Sequence, residues 1–260
     1  MDFKDNILQL AERIKKQKDA IQTEEATKNA FIMPIITALG YDVFNPFEVV
    51  PEMDCDLTRK GDKIDYAIKK DGRTIILIEC KHCKQNLDLH NTQLSKYYAA
   101  SNARFGVLTN GIEYRFYADL DKTNIMDEKP FLVVNMLDLS DADIEEMKKF
   151  HKSCYNESEI FSTAKELQMM IQIKEILAKN FQSPGDEFTR YFVRSLNNGK
   201  STPKLIEEYR PIVRKSILSV IGGMISGRPD TAILVKEEKP RQAPNDGMAA
   251  ISDKQDAVIT

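Results

Sequence analysis

The sequence predicts an α/β protein with a central mixed β-sheet flanked by helices, followed by a C-terminal helical appendage. Two observations carry this. Short apolar or β-branched runs at 63–81, 104–117 and 131–134 are interleaved with helical periodicity at 3–18, 23–38 and 88–100. From Ser140 onward the strand signals stop and helical patterning alone continues.

In chain order, Phe3, Ile7, Leu10, Ala11 and Ile14 lie on one face of a first helix over 3–18. Thr23 caps a second helix over about 23–38, which stops near Gly40, with Pro34 as a candidate kink. Glu48-Val49-Val50 is a short strand. The segments 63–70 and 73–81 are two strands around the turn signal Asp71-Gly72. A helix over 88–100 precedes strands 104–108 and 113–117, joined through Asn110-Gly111, and strand 131–134 follows. Helices are then expected at 140–150, 157–180, 185–197 and 203–226, with breaks at Ser183-Pro184-Gly185 and Ser201-Thr202-Pro203. The expected division is a core over 1–138, the helical appendage over 139–226, and a polar, proline-spotted tail over 227–260 without fixed structure.

The hairpin is where chemistry enters. Asp65 sits inside its first strand, and Glu79 and Lys81 close the second, directly after Ile75-Ile76-Leu77-Ile78. Glu79 and Lys81 are two apart and share one face of a strand. So continuous an apolar run implies burial on both faces, where acids and a lysine are costly unless paired or metal-bound. Two carboxylates with a lysine suit a divalent cation held by oxygen ligands, with Mg²⁺ or Mn²⁺ as cofactor. The lysine can orient a water or steady charge on a phosphate. Register is the test. A two-residue turn alone pairs Asp65 with Ile78 and turns it away from Glu79. A three-residue loop, Lys70-Asp71-Gly72, pairs Asp65 with Leu77 and keeps it on the face of Glu79. The three-residue loop or an equivalent bulge is therefore expected.

Asp65 with Glu79-Cys80-Lys81 resembles the D…(D/E)xK signature of the PD-(D/E)xK nuclease superfamily. Further blocks narrow the resemblance: Glu24-Glu25-Ala26-Thr27-Lys28, Ile32-Met33-Pro34, Leu39-Gly40-Tyr41-Asp42, Gln93 with Tyr97, and Leu108-Thr109-Asn110-Gly111. Together they resemble the N-terminal domain of the type I restriction enzyme R subunit, over roughly residues 20–137, about half of the chain. One departure is Ile64, where the superfamily name has proline. The resemblance implies a restriction-endonuclease-like core and metal-dependent hydrolysis of DNA in restriction or phage defence. Asp65 and Glu79, with the Cys80 carbonyl, would hold the metal, and Lys81 would position the water. An upstream acid, Glu24 or Glu25, and Gln93 would assist. Without the resemblance, Glu24 and Glu25 read as negative charge favoured in a helix first turn. Gln93, Lys96 and Tyr97 fall on one helix face.

Composition bounds the alternatives. With 260 residues, 42% hydrophobic, the chain can bury a core. No run approaches the ~20 apolar residues of a membrane span, and the start Met1-Asp2-Phe3-Lys4-Asp5 lacks a signal-peptide pattern, so cytoplasmic residence is expected. A net charge of −3 argues against a DNA-coating protein, though local basic clusters remain at Lys15-Lys16-Gln17-Lys18, Lys81-His82-Cys83-Lys84, and Arg210 with Arg214-Lys215. Cys80-Lys81-His82-Cys83 is a CxxC without a second pair, since Cys55 and Cys154 stand alone; reduced thiols are expected, and alternation places Cys80 in the core. Gly199-Lys200-Ser201 has Arg194 where a P-loop needs glycine, so no translocation motor is encoded here. DNA is the expected partner. Metal chemistry at the backbone does not specify the sugar, so RNA stays open, as do a homodimer and restriction-system partner proteins. The rival class is a nuclease fold kept as a non-cleaving scaffold that binds nucleic acid or docks a partner.

Overall fold

The computed structural model describes residues 2–54, 63–89 and 91–226. Cys55, His90 and the tail over 227–260 lie outside the described residues. The elements are α1 (Phe3–Gln17), α2 (Glu24–Thr27), a π turn (Lys28–Ile32), α3 (Met33–Ala38), β1 (Val49–Asp54), β2 (Lys63–Lys70) and β3 (Arg73–Cys80). A 3-10 turn (Leu87–Leu89), α4 (Asn91–Ala100), β4 (Phe105–Thr109), β5 (Glu113–Tyr117) and β6 (Leu132–Asn135) follow. The chain continues through α5 (Asp141–Lys148), α6 (Glu157–Gln182), α7 (Asp186–Leu196) and α8 (Pro203–Ser226).

The six strands form one mixed sheet in sequential order, β1-β2-β3-β4-β5-β6. Every neighbouring pair is antiparallel except β3 and β4, which run parallel with Glu79 beside Leu108 and Cys80 beside Thr109. Their parallel run requires a crossover, which α4 provides. Alternate strand residues feed two cores. Ile76, Ile78, Cys80, Val107 and Phe116 join Phe31, Ile32 and Ile35 in the larger one. Ala67, Leu77, Leu108 and Tyr117 pack with Leu94, Tyr97 and Tyr98 of α4 in the smaller one.

The helix expected over 23–38 is not uniform. Thr23 caps it, its hydroxyl accepting from the Ala26 N–H at 3.0 Å. Lys28–Ile32 then widens into the π turn just before Pro34. Pro34 has no N–H to offer the Ala30 carbonyl; the Arg13 guanidinium donates to that carbonyl instead. The helix ends at Gly40, at φ +85°.

The hairpin meets the register expectation through a bulge and not through the loop. Asp71 and Gly72 both have positive φ, 52° and 76°, and Lys70 pairs with Arg73. This is a two-residue turn of the kind Asp-Gly favours, not the three-residue loop. Register is then shifted by a bulge: Lys69 pairs with Thr74 but Ile68 with Ile76, leaving Ile75 as the extra residue. Ile75 and Ile76 consequently both face the larger core. Beyond the bulge Tyr66 pairs with Ile78, and the same register sets Asp65 across from Glu79 rather than from Leu77. The carboxylates are brought together by a bulge in β3.

The chain divides into two compact units, residues 1–178 and 179–260. The helical region contributes to both. Ile144, Met147, Phe150, Tyr155 and Ile160 line the larger core of the first. In the second, α7 and α8 bury Val193, Ile206 and Val213, and Arg210 donates to the Pro184 carbonyl and the Asp186 carboxylate. Among the described residues no helix is long and apolar enough to cross a membrane.

Candidate active site

The site lies at the carboxyl ends of the parallel strands β3 and β4, the edge where open α/β sheets characteristically bind ligands. The end of β3 is fixed to β4 by the Lys81 N–H, which donates to the Thr109 carbonyl at 2.8 Å. Asp65 reaches the same point from β2. Its Oδ2 accepts from the Cys80 N–H at 2.7 Å, so one oxygen is held by the main chain of β3. Its Oδ1 accepts from Lys28 Nζ at 2.5 Å.

Glu79 is 1% exposed. Its Oε1 accepts from Lys81 Nζ at 2.5 Å, whereas its Oε2 is buried with no hydrogen-bond partner among the described residues. Burial, and then the nearby Asp65 charge, push the Glu79 carboxyl up to about 7 against the opposing pull of Lys81. For Lys28, burial works to lower the pKa, but the hydrogen bond and charge of Asp65, with Glu24 adding, hold it above the usual lysine range. Lys28 therefore remains a cation.

α2 arrives at the site through Thr27, which is fully buried. The Thr27 hydroxyl accepts from the Cys83 N–H at 3.1 Å and donates to the Thr23 carbonyl at 3.2 Å. This docking sets Glu24 beside the cluster: its carboxylate is 3.5 Å from Lys28 Nζ, and its charge adds to the upward shift of Glu79. Glu25 instead accepts from the Asn29 side chain at 3.4 Å. Of the two candidate acids, Glu24 is the one that faces Lys28. Behind Thr27, the turn at Gly111 packs so closely that a Cβ there would stand 2.8 Å from Phe31 Cβ. Asn110 closes that turn, its Oδ1 accepting from the N–H groups of Ile112 and Glu113.

Gln93 donates through Nε2 to the Lys63 carbonyl at 3.0 Å, tying α4 to the start of β2. Tyr97 lies buried in the smaller core. Cys80 is fully buried, as alternation requires, and Cys80, Cys83 and Cys154 are free. His82 makes local loop contacts, its Nδ1 accepting from the Lys84 N–H at 3.2 Å. Sequence reasoning missed Lys28. Its spacing of four from Glu24 reads as an ordinary helix-surface pair, and only the fold reveals Asp65 as its main partner.

Among the described residues no group of three or more His, Cys, Asp or Glu side chains is assembled to hold a metal ion. The two facing carboxylates nonetheless fit a hard cation that keeps several waters, because Glu79 Oε2 is a buried carboxylate oxygen with nothing to accept from.

One consequence is testable in the metal-free protein. Unfolded, Glu79 ionises near its ordinary 4.5; folded, it holds its proton up to about 7. A carboxyl raised in the fold costs stability as pH climbs from about 4.5 to 7, and the loss levels off above. The full shift corresponds to roughly 3 kcal/mol. Urea unfolding should therefore show Glu79→Gln gaining on the wild type by about 2 kcal/mol between pH 5 and pH 8. A difference that stays constant with pH would refute this origin.

No curated protein and no solved structure gives a significant match to the chain. Residues 45–125 do match a family model; they contain Asp65, Glu79, Lys81 and Gln93 and stop short of α2, so the match is narrower than the 20–137 read from the sequence. Over that stretch the chain resembles the type I restriction enzyme R protein N terminus, which links it to restriction systems.

Proposed function

We propose that this protein is a Mg²⁺- or Mn²⁺-dependent nuclease that hydrolyses DNA phosphodiester bonds in restriction or phage defence. The observation that carries the reading is the pairing of Asp65 with a buried Glu79, one oxygen of Glu79 unmatched and the other held by Lys81. In this reading Asp65, Glu79 and the Cys80 carbonyl hold the cation. The bound cation supplies polarisation of the phosphodiester and a lowered water pKa. Lys81, 15% exposed, aims the attacking water and offsets charge growing on the phosphate oxygens. The water oxygen bonds to phosphorus, giving up a proton to solvent, as the ester P–O bond breaks, and the departing oxygen takes a proton from solvent. Glu24 shapes the field at the carboxylates, and Gln93 positions β2 through Lys63.

Cytoplasmic residence and DNA as the partner belong to the same proposal, with RNA as the alternative substrate. The helical region would dimerise, grip DNA or dock restriction-system proteins, using exposed apolar positions such as Ile173 and Ile176 on α6 or Ile212 and Met224 on α8.

A second reading, a non-cleaving scaffold, is favoured by one observation: Lys28 and Lys81 already neutralise Asp65 and Glu79. Thermal unfolding separates the two. The nuclease reading expects Mn²⁺ at about 100 times its Kd to stabilise the wild type by about 2.7 kcal/mol, a gain that Asp65→Asn loses. No metal-dependent shift in the wild type would favour the scaffold.

A further inference from the structure

Lys28 places a protein cation where the carboxylates would receive a metal. Its Nζ lies 2.5 Å from Asp65 Oδ1 and 3.5 Å from Glu24 Oε1, and its side chain is 15% exposed. The other Asp65 oxygen is taken by the Cys80 N–H. Oδ2 thus already accepts one main-chain hydrogen bond, and a divalent ion that uses Oδ1 must either share it with an ammonium or evict it. Eviction is feasible because a lysine is a point charge on a flexible four-carbon stem. Lys28 also opens the π turn, the wider helical turn that commonly marks functional insertions.

We propose that Lys28 is a displaceable counter-ion of the site: it neutralises Asp65 and Glu24 while no divalent cation is bound, yields Asp65 Oδ1 when one binds, and thereby sets metal affinity. The inference rests on the metal-binding reading above. Its physical basis is the cost of leaving partly buried carboxylates unpaired. Asp65 and Glu24 both lie against Lys28, and the metal-free fold needs a positive charge at Asp65. That same charge opposes an arriving cation.

The test is Mn²⁺ titration calorimetry on the full chain without DNA, comparing wild type, Lys28→Gln and Lys28→Arg. Removing the competing charge should tighten Mn²⁺ binding about tenfold in Lys28→Gln, the equivalent of about 1.4 kcal/mol. Lys28→Arg guards against a Lys28→Gln chain that fails to fold. Its planar fork grips a carboxylate through two donors, so binding should weaken several-fold. Lys28→Gln binding Mn²⁺ equally or more weakly would overturn the proposal, as would Lys28→Arg binding as tightly as wild type. Measurable wild-type binding with all three chains alike would sink this inference alone. Absence of binding in every chain would also sink the metal reading beneath it.

Discussion

Lys81→Met is expected to reduce DNA cleavage by about 10²–10³-fold, the usual loss when a fixed donor to developing charge is removed. Methionine keeps most of the side-chain volume and removes the ammonium. The main-chain anchor of residue 81 to Thr109 is unaffected by the change. Glu79 would lose the partner of its Oε1, yet its carboxyl is already shifted up to about 7 and can take a proton instead. The fold should therefore lose only about 1–2 kcal/mol, the scale of one orphaned buried group. Mn²⁺ binding should survive, because Asp65 and Glu79 remain. Single-turnover cleavage of a labelled duplex measures the first quantity and calorimetry the second. A variant that cleaves within threefold of wild type would remove Lys81 from the chemistry.

Gly111→Val is expected to be the most destabilising single change near the site, by about 3 kcal/mol or more. Two penalties combine. Gly111 has φ +78°, a region that β-branched residues avoid. An added Cβ would also meet Phe31 Cβ at 2.8 Å and Thr27 Cγ2 at 3.1 Å. Neither neighbour can step aside, because Phe31 is fully buried and Thr27 is hydrogen-bonded on two sides. Relief would push α2 outward, carrying Glu24 and Lys28 away from Asp65. Gly72 is the internal control: its φ is +76°, but a Cβ there meets nothing within 4 Å. Gly72→Ala should cost only the left-handed strain of about 1–2 kcal/mol. Urea unfolding of Gly111→Ala beside Gly72→Ala tests the contact directly: equal losses at the two positions would mean that packing against α2 contributes nothing.

Much of the architecture was legible because it rests on local pattern. The strands either side of Asp71-Gly72, the Thr23 cap and the four late helices follow from alternation, capping chemistry and 3.6-residue periodicity. Glu79 and Lys81 share a face by simple counting, and Cys80 is buried for the same reason. The bulge at Ile75 was not legible, since nothing within Ile75-Ile76-Leu77-Ile78 marks one isoleucine as the extra residue. The requirement that Asp65 face Glu79 implied some irregularity without locating it. Lys28 escaped because its decisive contact spans 37 residues, whereas its sequence neighbourhood supplies an ordinary partner in Glu24. Gly111 read only as a turn residue; that it lets α2 approach depends on two segments meeting in space.

Cleavage by the wild-type protein is the decisive measurement. Supercoiled plasmid and labelled single- and double-stranded oligonucleotides should be incubated with Mg²⁺, with Mn²⁺ and with a chelator, alongside Glu79→Ala. A hydrolytic site at Asp65, Glu79 and Lys81 gives nicking or linearisation that requires the divalent ion and disappears in Glu79→Ala, with the oligonucleotides revealing the preferred strandedness. Cutting that persists in Glu79→Ala, or wild-type protein that binds DNA and never cuts it with either ion, would contradict a hydrolytic site at Asp65, Glu79 and Lys81.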